Sequence, residues 1–296
     1  MTGWAASGPA RLLDRHQAID VVLAVLVFAS AMTVPAGVLS RVRALALRLG
    51  IVLIAAAAVL PLLAFALSRL LGPAVLRDGV LAVGVAPAEV ASVAITGIAG
   101  GEAGAAAVLL VASTLICVAV AGPILSVAGG HGVPAVHVLI TLSLVVGVPL
   151  LAGLVLKRIA AAIDRVDDGF QALAILAVVI LVWLVSGQVR LSAAYWTLAG
   201  VLVALIVTSA GIGLLLGWRL ESPARTAVVL NVSMRDFAVA SGIAVAAFGP
   251  ATAAPLGMYG VLVMAWGALV ARAANRHRRT ALPPDAHMSG PPRPVR

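Results

Sequence analysis

Four polar side chains sit where an apolar run should have none. From Thr226 to Phe248 the chain reads TAVVLNVSMRDFAVASGIAVAAF, with Asn231, Ser233, Arg235 and Asp236 at its centre around Met234. An ionised group at bilayer depth costs at least a few kcal/mol, so such residues mark a pathway or a binding site. A second apolar run, LAVGVAPAEVASVAIT from Leu81 to Thr96, is interrupted by Pro87 and carries Glu89, Ser92 and Thr96. Two interrupted apolar helices in the two halves of one chain point to the midplane site of a secondary transporter.

Each of these residues has a chemical reading and a structural one. Arg235 is a fixed cation able to hold an anion, or a plug locked to a carboxylate. Glu89, two residues after Pro87, can complement the positive end of a half-helix, pair with Arg235 across the two breaks, or titrate during transport. Asp236 points about 100° from Arg235 on an intact helix and so pairs with it poorly; it caps the second half-helix or carries a proton. Ser92 and Thr96, four apart, share a face, either lining the site or bonding back to carbonyls. Asn231 and Ser233 flank the break and can offer an amide and a hydroxyl to substrate. Ser113, Thr114 and Cys117 read as packing between helices, and Glu102 as a residue of a water-facing turn.

The elements that must position these groups are membrane helices. The 296 residues are 62% hydrophobic and 10% charged, with a mean hydropathy of +1.15; a soluble domain carries roughly a quarter charged residues. Measured against about 20 residues per crossing, nine spans are expected near 18–39, 47–67, 79–99, 103–127, 136–156, 170–189, 194–217, 226–248 and 252–273. The fold class is thus an all-α polytopic membrane protein: a segment 1–17, a transmembrane domain 18–275 and a disordered cytoplasmic tail 276–296. The first apolar run is long enough to span, so no cleaved signal is read there.

Basic residues cluster in alternate loops (Arg41 and Arg43; Lys157, Arg158 and Arg165; Arg219 and Arg225) and after the last span (Arg272, Arg276, Arg278 and Arg279). That bias orients the chain in the plasma (inner) membrane with its N-terminus outside and C-terminus cytoplasmic. The net charge of +9 is explained by these loops rather than by a nucleic-acid partner, for which aromatic platforms are missing. The histidines (His16, His131, His137, His277 and His287) show no metal-site spacing, and no cofactor is expected. No nucleophile elbow, paired intramembrane aspartates or Ser/His dyad is present, so an enzyme is not expected. Spans 2–4 and 7–9 share an order, a plain helix, a broken helix and a proline-bearing helix, that suggests inverted repeats with two broken, crossing helices.

Several motifs resemble the bile acid:sodium symporter family. The resemblance runs from Met32 through Pro61-Leu-Leu-Ala-Phe65 and Gly84-Val-Ala-Pro87-Ala-Glu-Val-Ala-Ser92-Val-Ala-Ile-Thr96 to Ala99-Gly-Gly-Glu102 and Ser113-Thr114. Asn231-Val-Ser-Met-Arg-Asp236 is similar to the family's Glu-x-Gly-Met-Gln-Asn. The resemblance covers roughly residues 25–275. It implies a core domain with two crossed, unwound helices, a panel domain rocking against it, and organic anions as substrates.

The departures lie at the cation sites the resemblance implies. Ser92 is kept, but the remaining sodium-ligand positions read Ala56, Val93, Ala106, Leu110, Asn231 and Arg235. A hard cation needs several oxygen ligands, and arginine supplies only donors and a permanent charge. Two positive charges 4 Å apart repel by about 4 kcal/mol at an effective dielectric near 20. The usual two-sodium coupling is therefore not expected. Arg235 is expected to occupy, or lie near, the volume of one missing sodium ion, balanced by Glu89, Asp236 or an anionic substrate.

The reading is a secondary transporter of an organic anion, bile-salt-like or a small carboxylate, working by alternating access. Its partners are the lipid bilayer, that anion and a coupling ion, protons or sodium, left open. The alternatives are an arsenite- or auxin-type carrier of related fold, although Ala86-Pro87-Ala88 lacks the cysteine arsenite carriers place at the first break, and a non-transporting ligand-sensing relative.

Overall fold

A computed structural model describes residues 15–32, 38–129, 133, 135–159, 169–170, 172–174, 176–177, 180 and 193–281. Eleven α-helices can be named among them. They are α1 (Arg15–Met32), α2 (Val38–Ser68), α3 (Ala74–Val85), α4 (Ala91–Ile98), α5 (Ala103–Ala128), α6 (Ala135–Leu142), α7 (Val148–Ile159), α8 (Ala194–Leu216), α9 (Ser222–Ser233), α10 (Phe237–Phe248) and α11 (Ala254–Ala281). The described parts of the run expected at 170–189 are helical; its remainder, the N-terminal 14 residues, residues 33–37 and the tail from 282 lie outside the described residues.

Among the described residues five helices are long and apolar enough to cross a bilayer: Arg48–Ser68, Ala103–Ala128, Ala135–Ile159, Ala194–Leu216 and Pro250–Ala274. The fourth is flanked by Trp196 and Trp218, both exposed. At 1.5 Å per residue they stand about 33 Å apart along the helix, the spacing of two interfacial aromatic belts. The third is interrupted by a wider π-helical turn at Ser143–Gly147. That turn directly precedes Pro149, whose ring would otherwise press on the carbonyl of Val145.

Helix ends differ from those read off the apolar runs. The helix expected at 47–67 begins at Val38, and the described part of the run expected at 18–39 is helical through Met32. The last helix continues to Ala281, past residue 276. Hydropathy finds the apolar stretch; a helix can extend beyond it, as the last one does past the exposed Arg276.

The two interrupted runs are interrupted in the structure. α3 and α4 are separated by Ala86–Val90, and α9 and α10 by Met234–Asp236. Each half-helix is about 12–18 Å long, short of the roughly 30 Å hydrocarbon core, so only the pairs can span it. Small residues let their neighbours close in. A Cβ at Gly84 of α3 would sit 3.2 Å from both the Leu60 carbonyl oxygen and Pro61 Cα of α2, so α3 rides on the proline-bearing part of α2. A Cβ at Gly122 of α5 would lie 2.5 Å from the Ala135 carbonyl oxygen at the start of α6. Helices α2, α3, α5, α8, α9 and α10 gather around the breaks, while α1 packs mainly on α7.

Candidate functional site

Unwinding a helix in hydrocarbon frees backbone groups that must find partners there. The two breaks satisfy each other. The Glu89 amide donates to the Met234 carbonyl at 2.8 Å, and the Asp236 amide donates to the Pro87 carbonyl at 2.9 Å, an antiparallel bridge centred on Ala88 and Arg235. The remaining donors are met by side chains. Ala88 N–H donates to Ser113 Oγ on α5 at 3.1 Å, and Arg235 N–H to the Tyr259 hydroxyl on α11 at 3.0 Å. Pro87, lacking an N–H, adds only an acceptor to this account.

The same logic places the two carboxylates. Asp236 is the N-cap of α10, its Oδ1 accepting from the Ala238 and Val239 amides, each at 2.9 Å. Glu89 reaches across from the first break, and its Oε2 accepts from the Phe237 amide at 3.4 Å. Two acids from opposite ends of the chain thus share the first turn of one half-helix, where orphan N–H groups and the helix dipole favour negative charge. Both are buried. Of the roles weighed for Glu89, the pairing with Arg235 is not seen among the described residues; the carboxylate is held by the Phe237 amide of α10 and by the Val90 and Ala91 amides at the start of its own half-helix α4.

Arg235 points elsewhere. Its guanidinium Nη2 donates to the Ala86 carbonyl, and its Nε is buried with no acceptor. The residue is 7% exposed and lines a narrow cavity between α2, α3, α5 and α9. Asn231, Ser113, Cys117 and Ala56 line it too. Asp236 lines a second narrow cavity with Val27 and Ser30 of α1, Leu110 and Thr114 of α5, and Leu150 of α7. Neighbours in sequence therefore serve opposite sides of the crossing, with α5 as the wall between.

The other anticipated residues divide. Asn231 lines the first cavity while its Nδ2 donates to the Ala106 carbonyl at 3.3 Å. Ser233 is turned into the core: its Oγ donates to the Val229 carbonyl at 2.7 Å and accepts from Trp266 Nε1 at 3.0 Å. Thr96 bonds back to the Ser92 carbonyl at 2.6 Å; the Ser92 hydroxyl is buried without a partner. Met234 is fully buried and gives the crossing its carbonyl. Glu102 is half-buried ahead of α5, its amide donating to the Pro223 carbonyl at 3.0 Å. Sequence reading missed Tyr259 and Trp266, and took Ser113 for packing. A fully buried tyrosine in an apolar helix was the available signal, since its hydroxyl has to find a partner.

Of the positions where the resemblance implies sodium ligands, Ala56, Asn231 and Arg235 line the first cavity. Leu110 lines the second, and Val93 is half-buried among apolar neighbours of α2 and α5. Alanine, valine and leucine side chains offer a cation no oxygen, and the guanidinium repels it, so the side chains of the first cavity do not fit sodium.

Comparison with known proteins agrees with the architecture. Residues 20–197 match the Sodium Bile acid symporter family. The chain is also 26% identical over 253 residues to YocS of Bacillus subtilis (strain 168), described as an uncharacterized sodium-dependent transporter, across 82% of this chain and 78% of the relative. With apolar membrane-length helices and two paired helix breaks at its centre, the chain belongs to the sodium bile acid symporter family of membrane transporters.

Proposed function

We propose that this protein is a secondary transporter of an organic anion that works by alternating access around the crossed breaks, without the usual two-sodium coupling. The observation that carries the reading is the Arg235 guanidinium. It is buried at the crossing, engaged by one carbonyl, and lines the cavity where Ala56 and Asn231 replace implied sodium ligands. A fixed charge there does the work of a cation without leaving. The relative's name records sodium dependence; this chain's substitutions argue for a different coupling, with Glu89 and Asp236 as the groups able to carry protons. Among the described residues no carboxylate is hydrogen-bonded to the guanidinium, which favours transport over a closed, sensing relative.

The proposal includes nine spans in inverted repeats, N-terminus outside and C-terminus cytoplasmic, in the plasma membrane. α2–α5 and α8–α11 form the core, and α1, α6, α7 and the 169–180 region form the panel. The second cavity, walled by α1 and α7 on one side and the crossing on the other, is the seam along which such domains would rock. The test is uptake of labelled organic anions, taurocholate among them, into proteoliposomes with sodium replaced by choline. Uptake should persist unchanged; a steep, saturable dependence on external sodium refutes the coupling scheme.

One observation keeps the arsenite reading as a second possibility: Cys117, on α5 rather than at the break, lines the cavity with Arg235. Arsenite flux abolished by Cys117→Ser would favour it.

A further inference from the structure

We propose that the narrow cavity between α2, α3, α5 and α9 is a binding site for one water molecule, which bridges the Arg235 guanidinium to α2. That bridge draws its role in transport from the transporter reading above, but its occupant follows from the cavity's own chemistry.

Three polar groups meet there, and each has capacity left over. Arg235 offers five N–H groups; one donates to the Ala86 carbonyl, and Nε is buried without an acceptor. Asn231 gives its Nδ2 to the Ala106 carbonyl, which leaves Oδ1 as the amide atom able to accept. The third group comes from the proline inside α2. Pro61 has no N–H, so the carbonyl of Ala57, four residues earlier, has no donor at that position of its helix. Ala57, Pro61, Asn231 and Arg235 all line the same cavity. Ser113 lines it too, but its hydroxyl already accepts from the Ala88 amide and donates to the Leu110 carbonyl. Leaving the first three groups unmet in a low-dielectric interior is costly.

Size and sign then fix the occupant. The space has room for little more than a water, and a buried water is held by about two to four polar partners. A halide would accept from the guanidinium but would face two oxygens that only accept. A sodium ion would suit the oxygens, and the fixed guanidinium charge would repel it. Water both accepts and donates. It takes an N–H from Arg235 and gives its own hydrogens to Asn231 Oδ1 and the Ala57 carbonyl. Pro61 thereby frees the acceptor that ties α2 to the second break. The site keeps a fixed charge and a neutral, replaceable molecule where the resemblance implies a mobile cation.

The experiment is X-ray hydroxyl-radical labelling of the purified full-length protein in micelles, read by mass spectrometry at Cys117. That thiol lines the cavity and is 3% exposed, so it reports radicals formed at a bound water rather than in bulk. Cys117 should label in the parent, and labelling should fall at least about 10-fold in Arg235→Met, which removes the charged donor. Ala56→Val narrows the cavity from α2 without touching a polar side chain and should give the same loss; it keeps the idea testable if the arginine variant does not fold. Cys117 unlabelled in the parent, or labelled as in the parent in either folded variant, overturns the assignment. The thermal midpoint should be indifferent to exchange of chloride for gluconate. A midpoint that follows chloride, and ceases to in Arg235→Met, overturns the water in favour of a halide. Taurocholate uptake by a parent whose Cys117 stays unlabelled overturns the water and leaves the transporter reading standing. Labelling lost in both variants, with no flux of any anion in liposomes, supports the water and removes the transporter reading.

Discussion

Replacing Asp236 by asparagine and by alanine separates its charge from its capping geometry. Its Oδ1 accepts from two amides, Ala238 and Val239, both at 2.9 Å, and both residues are buried, 1% and 2% exposed. Water cannot take over those donors. An orphaned buried N–H costs about 1–3 kcal/mol, so Asp236→Ala should cost about 2–6 kcal/mol for the two, more than the roughly 0.5–2 kcal/mol of a typical exposed cap. Asparagine keeps an oxygen acceptor and caps helices about as well as aspartate. Asp236→Asn should therefore stay within about 1 kcal/mol of the parent, the difference expected between a charged and a neutral acceptor at a helix start. Denaturant titration in mixed micelles, followed by helical circular dichroism, measures both. Equal losses in the two variants would mean that charge, not cap geometry, holds α10 in place. No loss in Asp236→Ala would show that the second break does not depend on this cap at all.

Other perturbations test neighbouring parts of the same account. Tyr259→Phe conserves volume but leaves the Arg235 amide without an acceptor, and should destabilise by about 1–3 kcal/mol in the same titration; an unchanged midpoint would refute that role. Gly122→Ala drives a methyl to 2.5 Å from the Ala135 carbonyl oxygen and should cost about 1–3 kcal/mol through overpacking; wild-type stability would show that α6 yields freely. If protons couple transport through the acids at the crossing, uptake of anion acidifies the lumen of proteoliposomes loaded with a pH dye, and Glu89→Gln with Asp236→Asn uncouples the two. Active uptake with no acidification in the parent removes proton symport.

The breaks were legible because charge and proline inside apolar runs are improbable unless something interrupts the helix. What each side chain then does was less so. Arg235 and Asp236 read as 100° apart on a helix, but Met234 and Asp236 have extended backbone, with ψ near 105° and 107°. In extended chain successive side chains point to opposite faces, which is how one residue reaches the first cavity and the next turns toward α10. The carboxylate partners were hidden for a related reason. Glu89 was weighed as an acid for its own half-helix or as a partner for arginine; its carboxylate does meet the Val90 and Ala91 amides at the start of α4, but its Oε2 also accepts from an amide 148 positions away. No local pattern encodes such a pairing. Ser113 and Tyr259 likewise hold the crossing from α5 and α11, and ordinary serines and tyrosines look no different in sequence.

The bridge between Ala88 and Arg235 also sets a problem of timing during biosynthesis. A ribosome adding roughly 5–20 residues per second needs about 7–30 s to travel from Glu89 to Asp236. For that interval the first discontinuous segment is made while the strand that will receive its amide does not yet exist. Glu89 must wait at the translocon or in the headgroups, or borrow lipid-phase water, until its counterpart arrives. Slowing elongation between the two should therefore lengthen the period in which a membrane protease or chaperone can seize the nascent chain.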